Sequence, residues 1–167
     1  GAASASVAID NAPIKGVLPL PISALKSGLP VLRNPANRGK AITLTFDQFT
    51  YGWANNLDDA EARTLYDTHH VPASGLPLFQ AGFANFNFGR DTAVDVKNPD
   101  RGPLLIISGT KDNTAPRAFT HGSYRKQLKN PEVTEYVEVA DRGHSLVIDH
   151  GWPEVADIAL QFVKRFL

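Results

Sequence analysis

The chain has 167 residues, and its 17 basic and 17 acidic side chains give a formal net charge of zero. With 43% apolar and 20% charged residues the chain fits one globular domain, and this composition excludes a disordered chain. The balanced charge argues against nucleic acid or an acidic membrane as an electrostatic partner. Cysteine is absent, which excludes disulfides, thiol catalysis and thiolate metal sites.

Three apolar segments predict β-strands. Residues 5–9 end at Asp10, and residues 104–107 lead through a Ser-Gly pair towards Asp112. Both segments are continuously apolar, which is typical of parallel strands covered on both faces. Residues 133–139 alternate in part and carry glutamates, which favours a strand near a sheet edge.

Helical patterns follow the second and third strands. Pro116 suits the first position of one helix, whose apolar side carries Phe119, Tyr124 and Leu128. Pro153 begins a last helix, in which apolar residues recur at helical spacing. The order strand, helix, strand, helix predicts an α/β fold with a partial doubly wound, mostly parallel sheet.

Residues 11–101 separate the first two strands and predict an insertion, because connections in α/β units usually take about 2–6 residues. Residues 1–10 and 102–167 would then form the core. The insertion is expected to open extended, over a stretch rich in proline, and to become helical afterwards. Its three helical patterns begin at a Thr45–Gln48 capping box, at Asp58 with Glu61, and near Leu78.

Six of the nine phenylalanines lie in the insertion: Phe46, Phe49, Phe79, Phe83, Phe86 and Phe88. Most are expected to form the insertion's own core, since aromatic side chains are usually buried for packing. Some could instead line a pocket for an apolar substrate beneath an aromatic lid. The pocket candidates are Phe49, Trp53, Phe83 and Phe86.

Asp112 and His144 are predicted to work together, because each follows a strand at the carboxyl edge, where ligands bind in open α/β sheets. An aspartate that accepts a hydrogen bond from a histidine ring fixes its tautomer and stabilises the imidazolium. The histidine then becomes a competent general base. Asp10 ends a strand on the same edge and is the reserve acid.

Several short segments resemble the α/β-hydrolase family, and in particular its bacterial members. They are Val-Ala-Ile-Asp at 7–10, Asn-Pro-Ala-Asn-Arg-Gly at 34–39, Gly-Thr-Lys-Asp at 109–112, Ala-Pro at 115–116 and Arg-Gly-His-Ser at 142–145. Their order and spacing extend the likeness over essentially the whole chain. The resemblance implies that 11–101 is a lid, that Asp112 is the acid and that His144 is the base of a catalytic triad.

The family's nucleophile lies in a G-x-S-x-G turn, and no serine of this chain has glycine at both the second position before and the second position after it. We therefore expect the C-terminal half of a serine-type hydrolase, inactive alone. The absence of methionine, including at position 1, favours the same interpretation. The strand at 5–9 would then leave an open edge, predicted to pair with the missing half or with a second copy in a homo-oligomer.

The favoured substrate is an ester or related small apolar molecule, because the lid is aromatic rather than charged. The alternative is a non-catalytic half-fold, or a ligand-binding module, that self-associates through its open edge. No cofactor or metal is predicted, since His69 and His70 point in different directions on a helix and have no evident third ligand. Asp149 and His150 are interpreted as solvated or helix-capping groups. No membrane span or signal peptide is predicted, and a cytoplasmic protein is expected.

Overall fold

A three-stranded parallel sheet organises the core. The computed structural model describes residues 3–18, 20–86 and 93–167. Strands β1 (Ser6–Ile9), β4 (Leu104–Gly109) and β5 (Thr134–Val139) lie in the order β1-β4-β5. The pairing sets Ser6 opposite Leu104, and Leu104 opposite Thr134. The predicted parallel α/β sheet is confirmed, and its carboxyl edge brings the three strand ends together.

The three strands differ in burial. All six residues of β4 are buried, as expected for a central parallel strand. β1 is only half-buried along its length, which differs from the expectation of cover on both faces. Among the described residues no strand pairs with its outer edge, so β1 is an edge strand here. β5 is the other edge, as its glutamates predicted.

Two helices cover the sheet. α5 (Arg117–Gln127) packs on β4 and β5, and α6 (Trp152–Lys164) packs on β1 and β4. Pro116 is the N-cap of α5 rather than its first helical residue, because its backbone is still extended. The apolar core between sheet and helices contains Leu105, Ile107, Val139, Leu146, Val155 and Phe162.

Among the described residues between β1 and β4 lie four α-helices and a small antiparallel ribbon. The helices are α1 (Ile22–Leu32), α2 (Phe46–Gly52), α3 (Asp59–His69) and α4 (Leu76–Phe83), and the ribbon pairs β2 (Ala41–Ile42) with β3 (Ala73–Ser74). The division into core and insertion at 11–101 stays a prediction. Among the described residues, no helix combines the length and the apolar character that crossing a bilayer requires.

The expectation that the insertion opens extended is wrong for α1. Pro21 precedes the helix as its extended N-cap, and Pro30 lies within its last turn. A proline preorganises a helix start, and α1 continues through Pro30 although this residue has no amide hydrogen to donate. The number of prolines alone therefore gave a wrong prediction of extended structure, because the effect of a proline depends on its position in the helix.

The predicted helix starts of α2 and α3 are confirmed. Thr45 accepts a hydrogen bond from the amide of Gln48, whose side chain accepts one from the amide of Thr45, so the capping box is complete. Asp58 caps α3 by accepting from the amide of Glu61. The two helices pack around a small apolar cluster of Phe49, Ala54, Ala62 and Leu65. Phe88 lies outside the described residues.

Candidate active site

Asp112 lies in the loop that follows β4, and its carboxylate is fixed by backbone amides. Its Oδ1 accepts hydrogen bonds from the amides of Thr114, at 2.6 Å, and Ala115, at 2.7 Å. The residue is 4% exposed. The two amides fix the orientation of the carboxyl group, so that Oδ2 is left to meet a partner from another loop.

His144 lies in the loop after β5 and meets Asp112 directly. The distance from its Nδ1 to Asp112 Oδ2 is 2.7 Å, which is a short hydrogen bond. The predicted proximity of the two loops is confirmed, because β4 and β5 are neighbours in the sheet. The amide of Lys111 also donates to the carbonyl of Arg142 at 2.8 Å, which joins the two loops through their backbones.

Asp10 is the third member of the cluster. It directly follows β1 with a φ of 44°, and its Oδ1 accepts from the amide of Gly109 at 3.1 Å. Its Oδ2 is buried without a hydrogen-bond partner and lies 3.8 Å from His144 Nδ1. Burial, followed by the negative charge of Asp112, raises the pKa of the Asp10 carboxyl from 3.8 to about 8. Both causes favour the protonated form of Asp10.

The two carboxyl groups are unequal partners for His144. Asp112 receives two backbone amides and the ring nitrogen, whereas Asp10 receives one amide and lies farther from the ring. Asp112 is therefore the carboxyl group that binds His144 directly. One oxygen from each carboxyl and one ring nitrogen lie within 4.8 Å of one another, a spacing that could also surround a cation. The facing atoms of Asp112 and His144 already bind each other, so the arrangement is that of a hydrogen-bonded pair.

Trp53 forms a wall beside His144. Its ring meets the imidazole edge to face, with centroids 4.5 Å apart, and it is 37% exposed. Phe49 is buried and stacks behind Trp53 at 6.3 Å, so it supports this wall from the core of the insertion. Phe83 and Phe86 are 55% and 81% exposed at the end of α4 and in the turn after it. Lining of a substrate pocket by these four residues stays a prediction.

Asp149 differs from the sequence expectation. It is 1% exposed rather than solvated, and it forms an ion pair with the buried guanidinium of Arg142. Arg142 also donates to the carbonyl of Gly151 at 2.9 Å, and Ser145 Oγ donates to Asp149 Oδ2 at 3.2 Å. This network closes the base of the His144 loop. No local pattern signals it, because Arg142 and Asp149 meet only through the turn between them.

The other histidines that the sequence singled out make local contacts. His150 pairs with Glu61 of α3 at 2.7 Å and is largely exposed. His70 caps the end of α3, and its Nε2 accepts from the amide of Leu44 at 3.1 Å. A separate open cavity of about 430 Å³ lies along α5, lined by residues that include His121, Arg125 and Lys126. It shares no residue with the acid–base pair.

Comparison with known proteins shows which solved structures share the fold of this chain. No family model matches the chain, and no curated protein matches it. Among solved structures, the bromoperoxidase from Bacillus anthracis matches at 18% identity with a TM-score of 0.59, over 96% of this chain and 58% of that protein. A thermophilic esterase from Thermogutta terrifontis matches at 15% identity with a TM-score of 0.56, over 97% of this chain and 56% of that protein. The Paleococcus ferrophilus monoacylglycerol lipase matches at 22% identity with a TM-score of 0.50, over 96% of this chain and 57% of that protein.

These neighbours are α/β-hydrolase fold proteins, and the chain has that fold over nearly its whole length. It spans less than 60% of each of the three. At these identities the likeness establishes the fold and leaves the reaction open. The predicted partial α/β-hydrolase sheet is thereby confirmed.

Proposed function

We propose that this chain supplies the acid and the base of a serine-type α/β-hydrolase, with Asp112 as the acid and His144 as the base. The observation that carries the proposal is the 2.7 Å contact between Asp112 Oδ2 and His144 Nδ1 at the carboxyl edge of the sheet. The fold supports it, because ligands of open α/β sheets bind at this edge.

The pair works through one defined proton. His144 donates its Nδ1–H to Asp112, which leaves Nε2 unprotonated and free to act as a base. As a hydroxyl nucleophile attacks the ester carbonyl, Nε2 takes the hydroxyl proton, and Asp112 stabilises the resulting imidazolium. Nε2 then returns that proton to the leaving alkoxide when the ester C–O bond breaks. Water repeats the same steps to hydrolyse the acyl-enzyme.

The nucleophile belongs to a segment outside these 167 residues. None of the chain's serines lies in a G-x-S-x-G turn, and Ser145, next to His144, is fully buried with its hydroxyl turned to Asp149. The outer edge of β1 has unpaired backbone groups among the described strands, which supports pairing with the strand that precedes such a turn. We propose that the polypeptide carrying the nucleophile adds this strand beside β1.

The substrate proposed is an ester of modest size and apolar character. Trp53 presents an exposed indole surface beside His144, and Phe49 holds it from behind. An apolar acyl or alcohol group would gain buried area against this wall, whereas a charged group would lose its hydration there.

Hydrolysis of p-nitrophenyl esters tests the proposal in a polypeptide that contains this chain and its upstream sequence. We expect His144→Ala to lower kcat by about 10³-fold or more, and Asp112→Asn to lower it strongly as well. His150→Ala is the matched control, because His150 is exposed and pairs only with Glu61. The chain alone should give no turnover. Full activity in His144→Ala would overturn the assignment.

A further inference from the structure

The residues that follow α2 run directly beside both loops of the acid–base pair. Asn55 Nδ2 donates to the carbonyl of Lys111 at 2.9 Å, immediately before Asp112. Asn56 Nδ2 donates to the carbonyl of Asp141 at 3.2 Å, in the loop that carries His144. Two consecutive side chains thus bind two loops that come from different strands.

The backbone from the last turn of α2 onward contacts the other side of each functional residue. The carbonyl of Trp53 accepts from the amide of Ser145 at 3.0 Å, directly after His144. The carbonyl of Tyr51 accepts from Asn113 Nδ2 at 2.9 Å, directly after Asp112. Residues 51–56 therefore hold chain neighbours of both members of the pair.

Gly143 shows how closely this segment fits. A Cβ atom at this position would lie 2.8 Å from Asn55 Oδ1 and closer still to Asn56 Oδ1. Real Cβ contacts are longer than this, so any larger residue would displace both amides. A glycine directly before His144 is what allows the two asparagines to pack against the loop.

We infer that Asn55 and Asn56 are positioning residues, which hold the loops of Asp112 and His144 at the separation that their hydrogen bond requires. This inference rests on the proposed function of that pair. The sheet aligns the ends of β4 and β5, and the backbone bond from Lys111 to Arg142 joins the loops beyond them at one point. Hydrogen bonds from a third element hold each loop at a further point, as is required of the shell that supports a catalytic group. The segment between the sheet strands is then part of the catalytic framework as well as a cover.

Proton exchange at His144 Nδ1 measures the effect in the chain itself, by NMR of nitrogen-15-labelled histidine. A ring N–H bound to a buried carboxylate is shifted far downfield and exchanges slowly with water. We expect Asn55→Ala and Asn56→Ala each to raise its exchange rate about fivefold, as follows from the loss of one ordinary hydrogen bond. The double variant should raise it further.

Asn34→Ala is the control, because the side chain of Asn34 likewise makes one hydrogen bond with the backbone, in which its Oδ1 accepts from the amide of Ala36. It should leave the exchange rate unchanged. Asn55→Asp keeps the volume and loses the donor, and it serves if the alanine variant does not fold. Gly143→Ala should accelerate exchange too, because it displaces both amides.

Two outcomes separate this inference from the proposed function. If Asp112→Asn leaves the slow downfield proton unchanged, the acid–base pair itself is wrong. If Asp112→Asn removes that proton while Asn55→Ala and Asn56→Ala retain the wild-type exchange rate, the acid–base pair stands and the positioning role of Asn55 and Asn56 is refuted.

Discussion

Asp10 couples the site to the stability of the fold. Its pKa is raised from 3.8 to about 8 by burial and by the charge of Asp112. The folded protein therefore binds this proton more tightly than the unfolded chain does. The contribution of Asp10 to the free energy of unfolding is complete below about pH 4, and it is lost as the pH rises through about 8.

The size of the effect follows from the shift. About 4 pH units at about 1.4 kcal/mol each give an upper estimate of about 5 to 6 kcal/mol. Asn at position 10 keeps the shape of the protonated acid, cannot ionise, and tolerates the φ of 44°. We expect Asp10→Asn to be several kcal/mol more stable than the wild type at pH 8, an advantage that shrinks by about 1 kcal/mol per pH unit towards pH 5.

Urea unfolding followed by far-ultraviolet circular dichroism, at four pH values between about 5 and 8, measures this difference. The comparison with the wild type at each pH cancels the titration of the histidines and other groups. Asp141→Asn is the control, because Asp141 is exposed and pairs only loosely with Lys111. If the advantage of Asp10→Asn is constant across the range, Asp10 does not hold a proton in the folded state, and the reasoning fails.

Two further predictions concern the elements that support the site. Asp149→Asn should lower the free energy of unfolding by about 3 to 5 kcal/mol, because it leaves the buried Arg142 guanidinium without its buried carboxylate partner. Glu154→Gln removes a distant and exposed partner of Arg142, and it should change the free energy of unfolding by less than about 1 kcal/mol. Equal losses for the two variants in urea unfolding would contradict the importance of the buried pair. Thr45→Ala should lower it by about 1 kcal/mol through loss of the α2 capping box, and an unchanged urea midpoint would show that α2 does not depend on its cap.

Local chemistry made several elements predictable. The continuous apolar run before Asp112 becomes the buried strand β4, because a central parallel strand has no polar face. Thr45 and Asp58 begin helices, because their side chains accept hydrogen bonds from amides only three residues away. α1 escaped prediction because the effect of Pro30 depends on where it falls within the helix.

The sequence by itself determined the parallel sheet, its strand ends and the pairing of Asp112 with His144, since neighbouring parallel strands deliver their following loops to one edge. Only the tertiary structure decided that Asp10 is buried beside Asp112, which raises its pKa, that Asp149 is buried against Arg142, and that Asn55 and Asn56 each bind one of the two loops. The contacts of Asp10 and of the two asparagines join residues that are far apart in the chain, and the buried pair of Arg142 and Asp149 forms only through the turn between them. Desolvation and hydrogen bonding act between groups that are close in space, and a linear pattern does not encode which distant groups those are.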